Sequence, residues 1–118
     1  MVTTSDFLPD DQRRLEAILE ISSRQAGSPR TIEALVEQWT TFVDELQSGY
    51  CRSRGEYEED LSVRALLEEI CECLSADGRG KLVAALLEPD RRFLSLTVRV
   101  NGSLRRNWWN RFPEDLAA

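Results

Sequence analysis

The segment SPRTIEALVEQWTTFVDELQSGY, residues 28–50, carries the clearest helical pattern of the chain. Its apolar residues recur at steps of three and four, which places them on one face of an α-helix. Ser28 and Pro29 fit an N-cap followed by a first helical residue, and Gly49 fits a C-terminal stop. The buried face of this predicted helix consists of Ile32, Leu35, Val36, Trp39, Val43, Leu46 and Tyr50.

Three further segments show helical signals. Asp10 and Asp11 suit the first turn of a helix, where the helix dipole favours negative charge. Ser53 and Glu56 form a possible capping box, and the two glycines of ADGRG, residues 76–80, predict a break before the next helix. The predicted helices run from about Pro9 to Gln25, from about Glu56 to Ser75, and from about Arg79 onward.

Two interpretations of residues 93–109 stay open. Pro89 should kink the preceding helix or start a new one, because proline lacks an N–H and restricts the residue before it. FLSLTVRV, residues 93–100, alternates apolar and polar residues ahead of Asn101-Gly102, which is a hairpin signal. The same residues also fit a helical face, and the helix is favoured because the rest of the chain is helical.

The chain of 118 residues has the size of one domain. The pattern predicts an all-α fold: a single compact bundle of four to five helices over residues 1–118, with a possible short C-terminal hairpin. We expect one hydrophobic core, to which Trp39, Leu66, Ile70, Leu86 and Phe93 belong.

The composition excludes several classes of function. The chain has no histidine, which rules out a histidine-assisted nucleophile, and its three cysteines do not have the spacing of a metal site. We therefore expect no metal, no cofactor and no enzymatic activity. The apolar runs are too short to cross a bilayer, and the N-terminus lacks the pattern of a signal peptide. These features predict a cytoplasmic protein without a membrane partner.

Charge is unevenly distributed along the chain. Residues 91–113 hold six arginines and no acidic residue, a charge of +6, while the remainder holds nine basic and twenty-one acidic residues, a charge of −12. Within SLRRNWWNRFP, residues 103–113, arginine and tryptophan could bind single-stranded nucleic acid. The acidic remainder would repel a polyanion, so we favour a tail in which one of Trp108 and Trp109 packs on the core. Trp109 and Arg106 are then candidates for binding a protein partner.

Two groups of polar residues are further candidates. Glu58, Glu59, Glu69 and Glu72 form an acidic helix surface of the kind that a basic partner recognises, and they are predicted to bind a protein. Asp90 lies in phase with Leu86 and Phe93, so it should be partly buried and need a cationic partner. Arg64, between two apolar residues, is the predicted partner of Asp90.

A set of scattered residues resembles a pattern found in small bacterial proteins, some of which look like cytoplasmic immunity proteins that neutralise toxins. The resemblance implies a compact helical fold with a structural polar cluster of Tyr57, Asp60, Arg64 and Asp90, and it supplies no catalytic residue. The matching positions are Trp39, Phe42-Val43, Gly49-Tyr50, Tyr57, Asp60-Leu61, Arg64, Asp90, Phe93, Thr97, Trp108-Trp109, Arg111 and Pro113.

Together these observations favour a non-enzymatic protein-binding module, in which the acidic surface of the second and third helices occludes a partner such as a basic toxin domain. The alternative is a nucleic-acid-binding protein that uses residues 91–113. An enzyme of another class is a third hypothesis. The sequence does not predict an oligomeric state.

Overall fold

The computed structural model describes residues 3–27, 30–49, 54–99 and 111–112. These residues form the all-α bundle expected from the sequence, with a 3-10 turn ahead of it and one short strand pair after it. No helix in these ranges is long and apolar enough to span a membrane. The elements are the 3-10 turn Thr4–Asp6, α1 Pro9–Ala26, α2 Ile32–Ser48, α3 Arg54–Cys73, α4 Ala76–Leu96, β1 Val98–Arg99 and β2 Arg111–Phe112.

The ends of α1 and α2 follow local capping chemistry. Gly27 ends α1 with φ 73°, a left-handed conformation that favours glycine. The N-cap of α2 is Thr31, whose side chain accepts a hydrogen bond from the Ala34 N–H at 3.1 Å. This helix therefore begins later than predicted from Ser28 and Pro29, which lie outside the described residues. Gly49, with φ 106°, follows the end of α2 as expected.

The hydrophobic core is centred on α2, which packs against both α3 and α4. The ring of Trp39 lies 5.3 Å from that of Phe42 and 5.0 Å from that of Phe93. Ile70 and Leu86 are buried in the same cluster, as predicted. Leu66 was expected in the core but is only partly buried at its edge, because the part of α3 that carries it borders an open groove.

The fourth helix begins three residues earlier than predicted. ADGRG does not break the chain but forms the first turns of α4. Its N-cap is Ser75, whose hydroxyl accepts a hydrogen bond from the Gly78 N–H at 3.3 Å. Sequence reasoning took the two glycines as breakers, whereas both have helical backbone conformations.

A buried carboxylate from α1 completes this helix start. Asp11 accepts hydrogen bonds from the Ser75 N–H at 2.9 Å and from the Ser75 hydroxyl at 2.5 Å. These bonds hold the pKa of the Asp11 carboxyl below its ordinary value. A Cβ at Gly78 would lie 3.0 Å from Cγ of Asp11 and even closer to its oxygen Oδ2. Gly78 is therefore required by the close approach of α1.

The N-terminal turn is attached to the bundle by a second carboxylate. The Thr4 N–H donates a hydrogen bond to Oε1 of Glu33 in α2 at 2.8 Å, and this bond lowers the pKa of the Glu33 carboxyl. Nζ of Lys81 in α4 donates to the backbone oxygen of Asp6 at 2.6 Å. The residues before α1 thus connect α2 and α4.

The structure of residues 93–99 decides part of the choice between helix and hairpin that the sequence left open. Pro89 is buried inside α4, which continues through it to Leu96, so no new helix starts at this proline. The chain then becomes extended, and Arg99 pairs antiparallel with Arg111. A two-residue turn at Asn101-Gly102 would instead pair Arg99 with residue 104. The segment that contains Arg106, Trp108 and Trp109 lies outside the described residues.

We predict that Gly78→Ala destabilises the fold although alanine is the better helix former. The new Cβ must displace the Asp11 carboxylate from Ser75, and overpacking of this kind costs about 1–3 kcal/mol. Gly80→Ala is the matched control: its Cβ meets nothing within 4 Å, so it should stabilise by up to about 1 kcal/mol. Denaturant unfolding of both variants measures the difference. Equal stabilisation by the two substitutions would contradict the close contact with Asp11.

The hydrogen bonds of Asp11 also predict a pH dependence. Because the folded pKa is below the ordinary value of 3.8, the charged carboxylate contributes stability that is present above that value and lost as pH falls through the folded pKa. Asp11→Asn should therefore lower the free energy of unfolding at neutral pH, and the gap to the wild type should close in acid. Denaturant unfolding of the variant and the wild type from neutral to acidic pH tests this prediction. A difference in the free energy of unfolding that stays constant with pH would contradict it.

Candidate protein-binding surface

One carboxylate joins three helices at the centre of the bundle. Oδ1 of Asp90 in α4 accepts hydrogen bonds from Nε1 of Trp39 in α2 at 2.8 Å and from Nε of Arg64 in α3 at 3.1 Å. Oδ2 of Asp90 accepts a further bond from Nη2 of Arg64 at 3.0 Å. The guanidinium thus binds the carboxylate through two parallel bonds, the strongest geometry for such a pair. The predicted partnership of Arg64 and Asp90 is confirmed.

Arg64 is buried, with 5% of its surface exposed, and it also pairs with a second carboxylate. Its Nη1 donates to Oε2 of Glu68 one turn along α3 at 3.0 Å. Of the other two residues of the predicted polar cluster, Tyr57 is buried with its ring 5.2 Å from Phe42. Asp60 lies one turn before Arg64 and borders a groove between α2 and α3.

The four glutamates predicted to bind a partner all lie on the solvent side of α3. Glu58, Glu59, Glu69 and Glu72 are exposed, and their spacing places them on one half of the helix surface. Between Gly55 and Cys73 the only basic residue is Arg64, which points into the core. From Glu56 to Glu72 the exposed charged side chains of this helix are therefore all acidic. Trp109 and Arg106, the other two candidates, lie outside the described residues.

A second arginine is also used within the bundle. Nη1 of Arg92 in α4 donates to Oδ1 of Asp44 in α2 at 2.6 Å, and its Nε donates to Glu88. The hydrogen bond to Asp44 raises the pKa of the Arg92 guanidinium most, and the bond to Glu88 raises it further. Arg92 was counted in the basic segment 91–113 on which the nucleic-acid alternative depends. Its positive charge is largely compensated by these two carboxylates.

The described cysteines differ in accessibility. Cys71 is buried, and burial raises the pKa of its thiol to about 11, which keeps it protonated at neutral pH. Cys73 is exposed at the end of α3. Within residues 3–27, 30–49 and 54–99, no three histidine, cysteine or carboxylate side chains are grouped so that they could hold a metal ion.

Sequence reasoning missed three features that shape this surface. Asp11 lies in the first turn of α1 as predicted, but its burial against Ser75 was not foreseen. The indole of Trp39 was predicted as a core group only, although its N–H binds Asp90. Ile21 is 60% exposed beside the partly buried Leu66. Serine is a recognisable N-cap residue, so the role of Ser75 could have been found, whereas the bond of the Trp39 indole and the exposure of Ile21 depend on tertiary packing.

Comparison with protein-family models, with curated proteins and with solved structures found no match.

We predict strong coupling between Arg64 and Asp90. Arg64→Met or Asp90→Leu should each lower the free energy of unfolding by about 3–5 kcal/mol, because the surviving charge stays buried without its partner. The double variant should lose less than either single variant, which a double-mutant cycle measured by denaturant unfolding will show. Arg24→Met, which removes the exposed Arg24–Glu20 pair, is the control and should cost less than about 1 kcal/mol. Simple additivity would contradict the coupling.

Proposed function

We propose that this chain is a non-enzymatic binding protein for a partner with a positively charged surface. The observation that carries the proposal is the solvent side of α3, where Glu58, Glu59, Glu69 and Glu72 are exposed. Opposite potentials steer two proteins together and exclude wrong partners. The biological role that fits best is that of a bacterial immunity-type protein, which neutralises a toxin by covering its basic surface.

The rigidity of the bundle supports this proposal. The buried Arg64–Asp90–Trp39 network fixes α3 against α2 and α4, so the orientation of the acidic surface is set before a partner arrives. A preorganised surface loses little conformational entropy on binding, which leaves more of the interaction energy for affinity. Occlusion needs only such a fixed, complementary surface and no reaction.

The experiment compares two charge-reversed variants of the full chain. The first carries Lys at positions 58, 59, 69 and 72, and the control carries Lys at positions 16 and 20, two exposed glutamates of α1. Each is used to enrich binding proteins from the native host, and the main binder is then purified and titrated by calorimetry. We expect a basic protein that binds the wild type and the control and loses at least about tenfold in affinity for the α3 variant.

Two results would overturn the proposal. A purified binder with unchanged affinity for the α3 variant would place the interface elsewhere. Recovery of RNA or DNA, with binding that falls steeply as salt is raised, would favour the nucleic-acid alternative, because phosphate contacts release counterions.

A further inference from the structure

The N-terminal arm, which we define as residues 3–26 with the 3-10 turn and α1, contributes little apolar surface to the core. Within α1, a helix of 18 residues, Leu15 and Leu19 are the buried core hydrophobics, and Phe7 ahead of the helix adds a third. The 17 residues of α2 contribute seven. Because burial of apolar surface is the main favourable term in folding, the arm is held less firmly than α2.

The contact between α1 and α3 is incompletely filled. An open groove of about 600 Å³ lies between the two helices, with Ile21 60% exposed on one side and Leu66 partly buried on the other. Protein interiors are ordinarily close-packed, and side chains beside a gap lose dispersion contacts. The apolar contact that α1 would give up on leaving α3 is therefore small for a helix of its length.

Polar contacts attach the N-terminal end of the arm to the rest of the bundle. They are the bonds of the Asp11 carboxylate to Ser75, of the Thr4 N–H to Glu33, and of Nζ of Lys81 to the backbone oxygen of Asp6. Water would hydrate all of these groups once the arm had left. Separation would thus leave none of these polar groups buried without a partner, which is the costly outcome in a protein interior.

The other three helices keep their mutual contacts without the arm. α2, α3 and α4 all pack on one another, and the bonds of Asp90 to Trp39 and Arg64 join them. The Ser75 hydroxyl also accepts the Gly78 N–H, so the N-cap of α4 does not require Asp11. The contacts that orient α3 relative to α2 and α4 therefore persist when the arm is removed.

We propose that the N-terminal arm is a detachable element of this fold, which undocks as one unit while α2, α3 and α4 stay folded together. Proteins open in such local cooperative units, and those with few buried apolar contacts open most often. Undocking uncovers the surface of α3 against which α1 packs, and α3 keeps its orientation. The inference concerns the conformational states of the bundle and does not depend on the proposed function.

Native-state hydrogen exchange of the full chain, followed by NMR at a series of low denaturant concentrations, tests this proposal. Amides in the middle of α1, from Leu15 to Ser22, should share one opening constant. We expect it to be at least about a hundredfold larger than that of amides in the middle of α2, such as Trp39 and Val43. Opening of the whole arm should also increase with denaturant, because it exposes surface.

Substitutions in the arm and in the core should have different effects. Asp11→Asn weakens the charge-assisted bonds to Ser75 and should raise the opening constant of α1 at least about tenfold. Asp10→Asn is the matched control, because Asp10 is the neighbouring residue and its side chain is 74% exposed; it should leave the opening constant unchanged.

Phe93→Leu tests whether the core stays folded when the arm opens. The Phe93 ring lies 5.0 Å from that of Trp39, so the substitution weakens the contact between α2 and α4. It should speed exchange of the α2 amides. It should not change exchange of the α1 amides, because the core is equally folded in the docked and the undocked states.

Three results would overturn the proposal. Equal opening constants for α1 and α2, or faster exchange of the α1 amides in Phe93→Leu, would mean that the bundle opens as a single unit. Opening constants that fall gradually from the start of α1 inward, without a dependence on denaturant, would mean that the helix end frays. None of these results bears on binding by the acidic surface of α3.

Discussion

The Asp90 carboxylate accepts hydrogen bonds from α2 and α3 while it belongs to α4, and the positions of these three helices depend on it. Asp90 is partly buried, with 18% of its side chain exposed. A carboxylate withdrawn from water is costly unless its oxygens accept hydrogen bonds, and Trp39 and Arg64 both donate to it. This requirement fixes the rotation of α3 about its own axis. The surface that α3 presents to solvent is thus determined by a contact on its opposite side.

The same contact changes the charge that the molecule shows to its surroundings. Arg64 is buried in its ion pair with Asp90, and the positive charge of Arg92 is compensated by its ion pairs with Asp44 and Glu88. Both arginines contribute to the formal charge of −6, but they contribute less to the surface potential than their number suggests. The exposed glutamates of α3 consequently form an acidic patch, because Arg64, the only basic residue between Gly55 and Cys73, is buried.

The sequence predicts those features that follow from the helical repeat of apolar residues. Trp39 and its neighbours repeat at helical steps, so α2 could be identified. The phase of Asp90 relative to Leu86 indicated a partly buried carboxylate, and the position of Arg64 between two apolar residues indicated its partner. The burial of Asp11 and the helical role of Gly78 were not foreseen, because an acidic first turn and a glycine are each explained locally by dipole and flexibility. Their true cause is an approach between α1 and α4 that no local pattern records.

The bond between Asp11 and Ser75 also sets an order for assembly during synthesis. The two residues are 64 positions apart, and at about 5–20 residues per second the ribosome needs roughly 3–13 s to extend the chain from one to the other. Until then Asp11 has no Ser75 to bind, and α1 lacks part of the α3 surface against which it packs. Although α1 precedes the other described helices in the chain, its bond to Ser75 forms only after α3 has been synthesised. The charged residues in the first turns of α1, from Asp10 to Arg14, keep this helix hydrated until Ser75 has been synthesised.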